Sequence, residues 1–210
     1  KLKKNIPVAA GMAGGSTDAA ATMLAMNELY ELGLSKEQLM DMAVRLGADV
    51  PFCIMGGTAL AEGIGEQLTP LPAPPEAVLL IVKPPIMVST QWVYEHLRLD
   101  ALERHPDIDG MITALNQGNL KGVTDRMENV METVTEREYP IITDIKKMML
   151  GNGAMNAVMS GSGPSIFGVF IEEDAARAAA VYVNQTLLTK GIDAQVNVTR
   201  FYKHALDQDS

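Results

Sequence analysis

Apolar positions recur at helical spacing through Ala19, Met23, Met26 and Tyr30, which predicts a helix over 16–31 that ends at Gly33. Ser35, with Gln38 three residues on, forms a capping box for a second helix running to Leu46, with Leu39, Met42, Ala43 and Leu46 as its buried stripe. Gly47 stops it. The stretch "CIMGGTALAEGIGEQLTPL" alternates and carries paired glycines, as strands joined by tight turns do. Pro70–Ala77, "PLPAPPEA", reads as a linker. Beyond it, Val78–Lys83 is a short strand of buried type, and "STQWVYEHL" opens a helix capped by Ser89 or Thr90. Residues 106–138 are mostly helical and polar enough for a surface. "AMNAVMSGSGPSIFGVFIE" gives two strands around a glycine-serine turn. An alanine-rich helix over 174–189 and a final strand over 193–202 follow. At the front, "KLKKNIPV" reads as a strand entering a glycine loop. Helices and strands interleave without the strict repeat of a doubly wound parallel sheet, so the expected class is α+β in two lobes.

Composition narrows the function classes. A 210-residue chain with 47% hydrophobic residues can build a substantial core. Its net charge of -9 argues against a nucleic-acid surface, because phosphate-backbone binding rests on clustered Lys and Arg, and the basic cluster here is only Lys1, Lys3 and Lys4. A polyanion would have to be met by backbone N–H groups, a helix terminus and a divalent cation. The single cysteine, Cys53, rules out an intramolecular disulfide and a cysteine-based zinc cluster. Within "VPFCIM" it reads as a buried structural thiol rather than a nucleophile. His96, His105 and His204 lack metal-ligand spacing. Apolar runs such as Ala77–Val82 fall well short of the roughly 18 to 20 residues of a membrane span, so the expectation is a soluble, cytoplasmic protein with no membrane partner.

The chemistry concentrates in "PVAAGMAGGSTDAAATML", Pro7–Leu24. A helix N-terminus carries about half a positive charge and unpaired N–H donors, so a glycine loop feeding one makes an anion cradle. One terminus contributes only about 0.3 to 2 kcal/mol, whereas even millimolar binding needs roughly 4 kcal/mol. Several N–H groups and Mg²⁺ would therefore act together. Gly11, Gly14 and Gly15 offer positive φ and close backbone approach, and Ser16 and Thr17 offer hydroxyls to phosphate or metal. The plainer alternative is a tight turn needed for helix packing. Asp18 reads as a dipole-stabilising residue of the first helical turn. Neither "G-x-x-x-x-G-K-[ST]" nor "G-x-G-x-x-G" is present.

Sixteen helical residues from Ser16 rise about 24 Å and the return helix covers about 16 Å, so a helical hairpin brings Asp49 back level with the loop. A carboxylate there could accept a proton from an attacking hydroxyl, a contribution of about 10²- to 10⁴-fold. Taken alone, Asp49 before Val50-Pro51 is a turn-forming residue.

These residues resemble a known family. "PVAAGMAGGSTDAA" is similar to the phosphate-binding motif of the GHMP small-molecule kinases, and "LGADVPF", "GGTALAEGIGE..LTPLP", "KPPIMVST" and "SGSGPSIFGVF" follow in matching order. The resemblance is strongest to the branch that phosphorylates the 2-hydroxyl of a CDP-linked methylerythritol in non-mevalonate isoprenoid biosynthesis. It implies the C-terminal portion of an ATP-binding lobe over 1–75 and a ferredoxin-like C-terminal lobe over 76–210. It implies ATP and Mg²⁺, with the phosphates wrapped by Pro7, Val8, Ala9, Ala10, Gly11, Met12, Ala13, Gly14, Gly15, Ser16 and Thr17, and with Ser16 toward the metal. Asp49 matches the catalytic base. Ser160, Gly161, Ser162 and Gly163 match a second glycine turn closing on the phosphates or the substrate, although a simple hairpin explains each of these residues singly. Thr90 and Tyr94 match positions lining the substrate pocket, where core packing is the equal alternative for Tyr94 and the preferred reading for Trp92. Family members also carry an upstream segment with a lysine in "P-G-K-[IVL]-N"; the chain as given lacks it and is expected to be inactive alone. Kinases of mevalonate intermediates or homoserine, and a non-catalytic nucleotide-binding module, are the rival readings. Oligomeric state is not legible.

Overall fold

The computed structural model describes residues 3, 4, 6–98, 100, 102 and 105–201. They form two compact units. One is built on residues 13–73 with the described residues up to Val8; the other comprises Ala9–Met12 and Pro74–Phe201. Tyr202, the expected end of the last strand, and His204 lie outside the described residues.

The first unit contains α1 (Gly14–Leu29), α2 (Lys36–Ala43), α3 (Val50–Met55) and a hairpin of β1 (Thr58–Glu62) and β2 (Gln67–Leu71). Its core gathers Ala20, Leu39, Ala43, Val50 and Ile54. The capping box forms as expected: Ser35 Oγ accepts from the Gln38 amide at 3.2 Å, and Gln38 Oε1 accepts from the Ser35 amide at 2.9 Å. The α1–α2 turn is pinned by Asn27, whose side chain exchanges two 3.0 Å bonds with the Leu34 backbone.

Several expectations need correcting here. α1 begins two residues early, at Gly14, and buries Ala20, while Met26 and Tyr30 are exposed. Apolar residues surround this helix, so periodicity could not select a face. α2 stops at Ala43, short of Leu46, and buries Leu39 and Ala43, while Met42 on its outer side and Leu46 beyond its end are exposed. Residues 53–55, the start of the expected strand run, are instead the end of a helix: Pro51 sits at the start of α3, where its missing N–H costs nothing, and Lys36 Nζ donates to the Met55 carbonyl at its end at 2.6 Å. The described residues of "KLKKNIPV" form no strand, since none of them makes the ladder pairing a strand requires.

In the second unit, β3 (Val78–Lys83) is followed by α4 (Thr90–His96), α5 (Ile108–Asn116), α6 (Leu120–Thr124), α7 (Glu132–Glu138) and α8 (Ile141–Gly151), then β4 (Asn156–Met159), β5 (Ile166–Phe170), α9 (Glu173–Thr189) and β6 (Gln195–Arg200). The strands lie in the order β4-β5-β3-β6, every neighbouring pair antiparallel. A βαββαβ chain in this order is the ferredoxin-like arrangement.

β3 is apolar from Val78 to Val82 because both of its faces are covered. Leu80 and Val82 meet Ile142, Ile145 and Met149 of α8 and Ala179, Val183 and Leu187 of α9. Leu79 and Ile81, on the other face, meet Leu120 and Met127. Each fully buried Leu, Ile or Phe contributes roughly 1.5 to 3 kcal/mol. α8 was not anticipated, although Ile142, Ile145 and Met149 carry a helical stripe. No helix among the described residues is long and apolar enough to cross a membrane.

Candidate functional site

Within the second unit, the short segment Ala9–Met12 lies against the turn that joins β4 to β5. Ser160 Oγ donates to the Gly11 carbonyl at 2.7 Å, and the Ser165 amide donates to the Ala10 carbonyl at 3.3 Å. The turn closes on itself through the Gly163 amide and the Ser160 carbonyl at 2.9 Å. Gly11 has φ +67, and a Cβ there would stand 2.1 Å from the Ser160 carbonyl oxygen. Only glycine permits that approach.

A cavity of about 400 Å³ opens beside this contact, between Ala9 and Gly11, Ser162 and Gly163, and the approach to α4 from Met87 to Thr90. Thr90 Oγ1 and Ser162 Oγ, of two residues in its wall, share a hydrogen bond at 2.8 Å. Gly11 of the expected phosphate loop, Ser162 and Gly163 of the expected second turn and the expected substrate residue Thr90 are thus brought to one place. Ser160 and Gly161 support it from behind. Tyr94 is not: it is 61% exposed and does not line the cavity. Trp92 stacks on His96 with ring centroids 4.5 Å apart and meets Tyr139 edge-on at 6.5 Å.

In the first unit, α1 opens at Gly14 with no capping side chain and no acidic residue in its first turn. Its first amides therefore keep the donor character an anion would use. Glycine conformations differ from the expectation: Gly14 and Gly15 are helical, and positive φ falls on Ala9, Gly11 and Ala13. Space differs as well. A Cβ at Gly14 would meet Ile6 Cγ2 at 2.9 Å, whereas one at Gly15 would meet nothing within 4 Å. Gly15, not Gly14, faces open room. Pro7 and Met12 are half-buried and Val8 is exposed. Ser16 is half-buried at the third helical position. Thr17 Oγ1 donates to the Ala13 carbonyl at 3.0 Å. Because α1 starts early, Asp18 falls in the second turn rather than the first, where it pairs with Lys4 Nζ.

Asp49 occupies the N-cap position of α3 without making a capping bond and is exposed. One turn later, Cys53 Sγ lies 3.6 Å from Thr17 Oγ1. That contact ties the second half of α3 to the first turns of α1. Burial pushes the Cys53 thiol up, with the Thr17 hydrogen bond opposing, so it is a poor nucleophile at neutral pH.

Sequence reasoning missed the residues behind the glycine turn. Asn129 Nδ2 donates to the Met159 and Gly161 carbonyls, both at 2.8 Å. Glu132 Oε1 accepts from the Met159 amide at 2.6 Å, and Lys146 Nζ donates to Glu132 Oε2 and Glu136 Oε1, each at 2.6 Å. Burial alone would pull the Lys146 pKa down; the hydrogen bonds and charges of the two carboxylates outweigh it and hold the ammonium above its ordinary value. No short motif marks Asn129, because its acceptors are backbone carbonyls some thirty positions away.

The family description "GHMP kinases N terminal domain" matches residues 1–57, and "GHMP kinases C terminal" matches residues 111–187. The 4-diphosphocytidyl-2-C-methyl-D-erythritol kinase of Lachnoclostridium phytofermentans is 50% identical over 200 residues, covering 92% of this chain and 69% of that kinase. A crystal structure of 4-(cytidine 5'-diphospho)-2C-methyl-D-erythritol kinase is similar with a TM-score of 0.77 and 31% identity, over 96% of this chain and 70% of the other. Homoserine kinase from Cytophaga hutchinsonii is similar with a TM-score of 0.79 at 22% identity, over 93% of this chain and 67% of the other, a likeness of fold alone.

Proposed function

The chain belongs to the GHMP kinase family, and from that premise we propose that it transfers the γ-phosphoryl group of ATP to the 2-hydroxyl of 4-diphosphocytidyl-2-C-methyl-D-erythritol, in the cytoplasm, as a step of non-mevalonate isoprenoid biosynthesis. The observation that carries the proposal is the 50% identity, over 92% of the chain, to a kinase of that name. The homoserine and mevalonate readings have no comparable identity in their favour.

The residues present suit a triphosphate. An uncapped helix start with no acid in its first turn, and open room beside Gly15, are what a phosphate chain would need there. Mg²⁺ in kinases is held mostly by phosphate oxygens and water, with one or two protein oxygens; Ser16 would supply one. When bound, the cation neutralises charge on the transferring group.

The α1 amides would hold the phosphates in place, and Asp49 would accept the proton of the acceptor hydroxyl as its oxygen bonds to phosphorus. The bond from phosphorus to the bridging oxygen breaks, and ADP leaves with that electron pair. Within the second unit, the cavity lined by Thr90 and Ser162 would bind part of the acceptor.

Label transfer from γ-labelled ATP, measured on the complete enzyme with a panel of alcohols, tests the assignment. Transfer to the CDP-linked methylerythritol and not to homoserine or mevalonate is expected. Transfer to either of the others reassigns the acceptor, and ATP binding with no transfer to any leaves a nucleotide-binding module.

Gly15→Ala separates the phosphate cradle from a packing turn. Alanine is the better helix former by about 0.5 to 1 kcal/mol, and nothing in the fold obstructs its Cβ. Thermal stability should rise slightly while ATP affinity falls. Unchanged affinity by titration calorimetry would count against the cradle.

A further inference from the structure

β4 forms one edge of the four-stranded sheet, and the backbone of its last residue is held by side chains. The Met159 amide donates to Glu132 Oε1 and the Met159 carbonyl accepts from Asn129 Nδ2. The same Asn129 nitrogen donates to the Gly161 carbonyl, two residues on and inside the glycine-serine turn. An amide NH₂ has two hydrogens, and both go to this junction. The orientation of the amide is fixed from its other end, where Asn129 Oδ1 accepts from the Met131 amide at 2.9 Å.

On either side of Gly161 the turn reaches forward to the cavity, through Ser162 to Thr90 and through Ser160 to the Gly11 carbonyl. One side chain therefore links the rigid end of a strand to the residues that border the cavity. Behind it, Glu132 is steadied by Lys146.

We propose that Asn129 is a positioning residue for the acceptor: it touches no substrate, but by holding the Met159 and Gly161 carbonyls together it sets the turn on which Ser162 and Gly163 face the pocket. The proposal rests on the kinase reading above. Removing the amide leaves two carbonyls without their donor, and each lost bond corresponds to about a tenfold change in an equilibrium that depends on the turn. Acceptor binding is that equilibrium. Aspartate at the same position would be worse than alanine, because its ionised carboxylate would face two carbonyl oxygens.

The test compares Asn129→Ala and Asn129→Asp in the complete enzyme with Ile145→Val, a core substitution in the same unit that lowers stability and removes no hydrogen bond of the turn. Expected are an acceptor KM raised about tenfold or more in Asn129→Ala and further in Asn129→Asp, kcat within about threefold, and a normal KM in Ile145→Val. Between ~pH 8 and ~pH 6 both deficits should stay constant, since an aspartate carboxyl with an ordinary pKa of about 3.9 is ionised throughout and cannot donate. Acceptor KM values that match Ile145→Val, or aspartate milder than alanine, would overturn the proposal. If the wild type fails to phosphorylate the acceptor, the kinase reading fails instead. Amide exchange at Ser162 and Gly163 then decides: faster exchange in both Asn129 variants than in wild type supports the positioning role, and unchanged exchange overturns it.

Discussion

Asp49→Asn in the complete enzyme should lower kcat by about 10²- to 10⁴-fold, the range lost when a general base is removed, while nucleotide affinity stays within a few-fold. The amide matches the carboxylate in size but cannot take up the proton of the acceptor hydroxyl. Folding should be indifferent to the change. Asp49 is exposed and makes no capping bond to α3, so its charge supports no structure that the amide would forfeit. Loss of a negative charge near bound phosphates would, if anything, tighten ATP slightly. Steady-state kinetics beside calorimetric titration and a melting curve separate these effects. Turnover equal to wild type would remove Asp49 from the mechanism.

Gly11→Ala should be the most damaging single-methyl change in the second unit. Its Cβ would overlap the Ser160 carbonyl oxygen at 2.1 Å and crowd Gly163 N and O at 3.0 Å, all backbone atoms that no rotamer change can move aside. The left-handed φ of +67 adds about 1 to 2 kcal/mol for any residue with a Cβ. Either the segment Ala9–Met12 or the turn must shift, so the cavity they share changes shape. The expected result is a melting temperature several degrees lower together with weakened acceptor binding. Gly15→Ala is the internal contrast, since the same methyl group there meets open space. A Gly11→Ala protein with wild-type stability would mean that the two backbones do not approach this closely.

Local chemistry was readable where it was self-contained. Ser35 and Gln38 announce their capping box without help from the rest of the chain, and Val78–Lys83 is apolar enough to specify a strand covered on both faces. The glycine-serine segment gave its two flanking strands for the same reason. What failed depended on tertiary placement. Met26 and Met42 sit in helices whose apolar residues outnumber the buried positions, and Tyr30 and Leu46 lie just past the helix ends, so spacing alone cannot say which of them turn inward. Val50–Met55 lacks the length at which periodicity becomes visible. The glycine loop stood out through its own chemistry and Asp49 only through its place after the helical hairpin and the family resemblance, whereas Asn129 acts on carbonyls that folding alone brings to it.

The central strand β3 carries a consequence for how the second unit is made. Its ladder partners, Ile166–Phe170 on one side and Gln195–Arg200 on the other, are encoded far downstream. Closing such distant pairings is entropically slow, and β3 leaves the ribosome long before either partner exists. Until β6 has been synthesised, an almost uninterrupted apolar ribbon stands with an open flank. Truncation ahead of Gln195 should therefore yield an aggregating product rather than a shortened, folded unit.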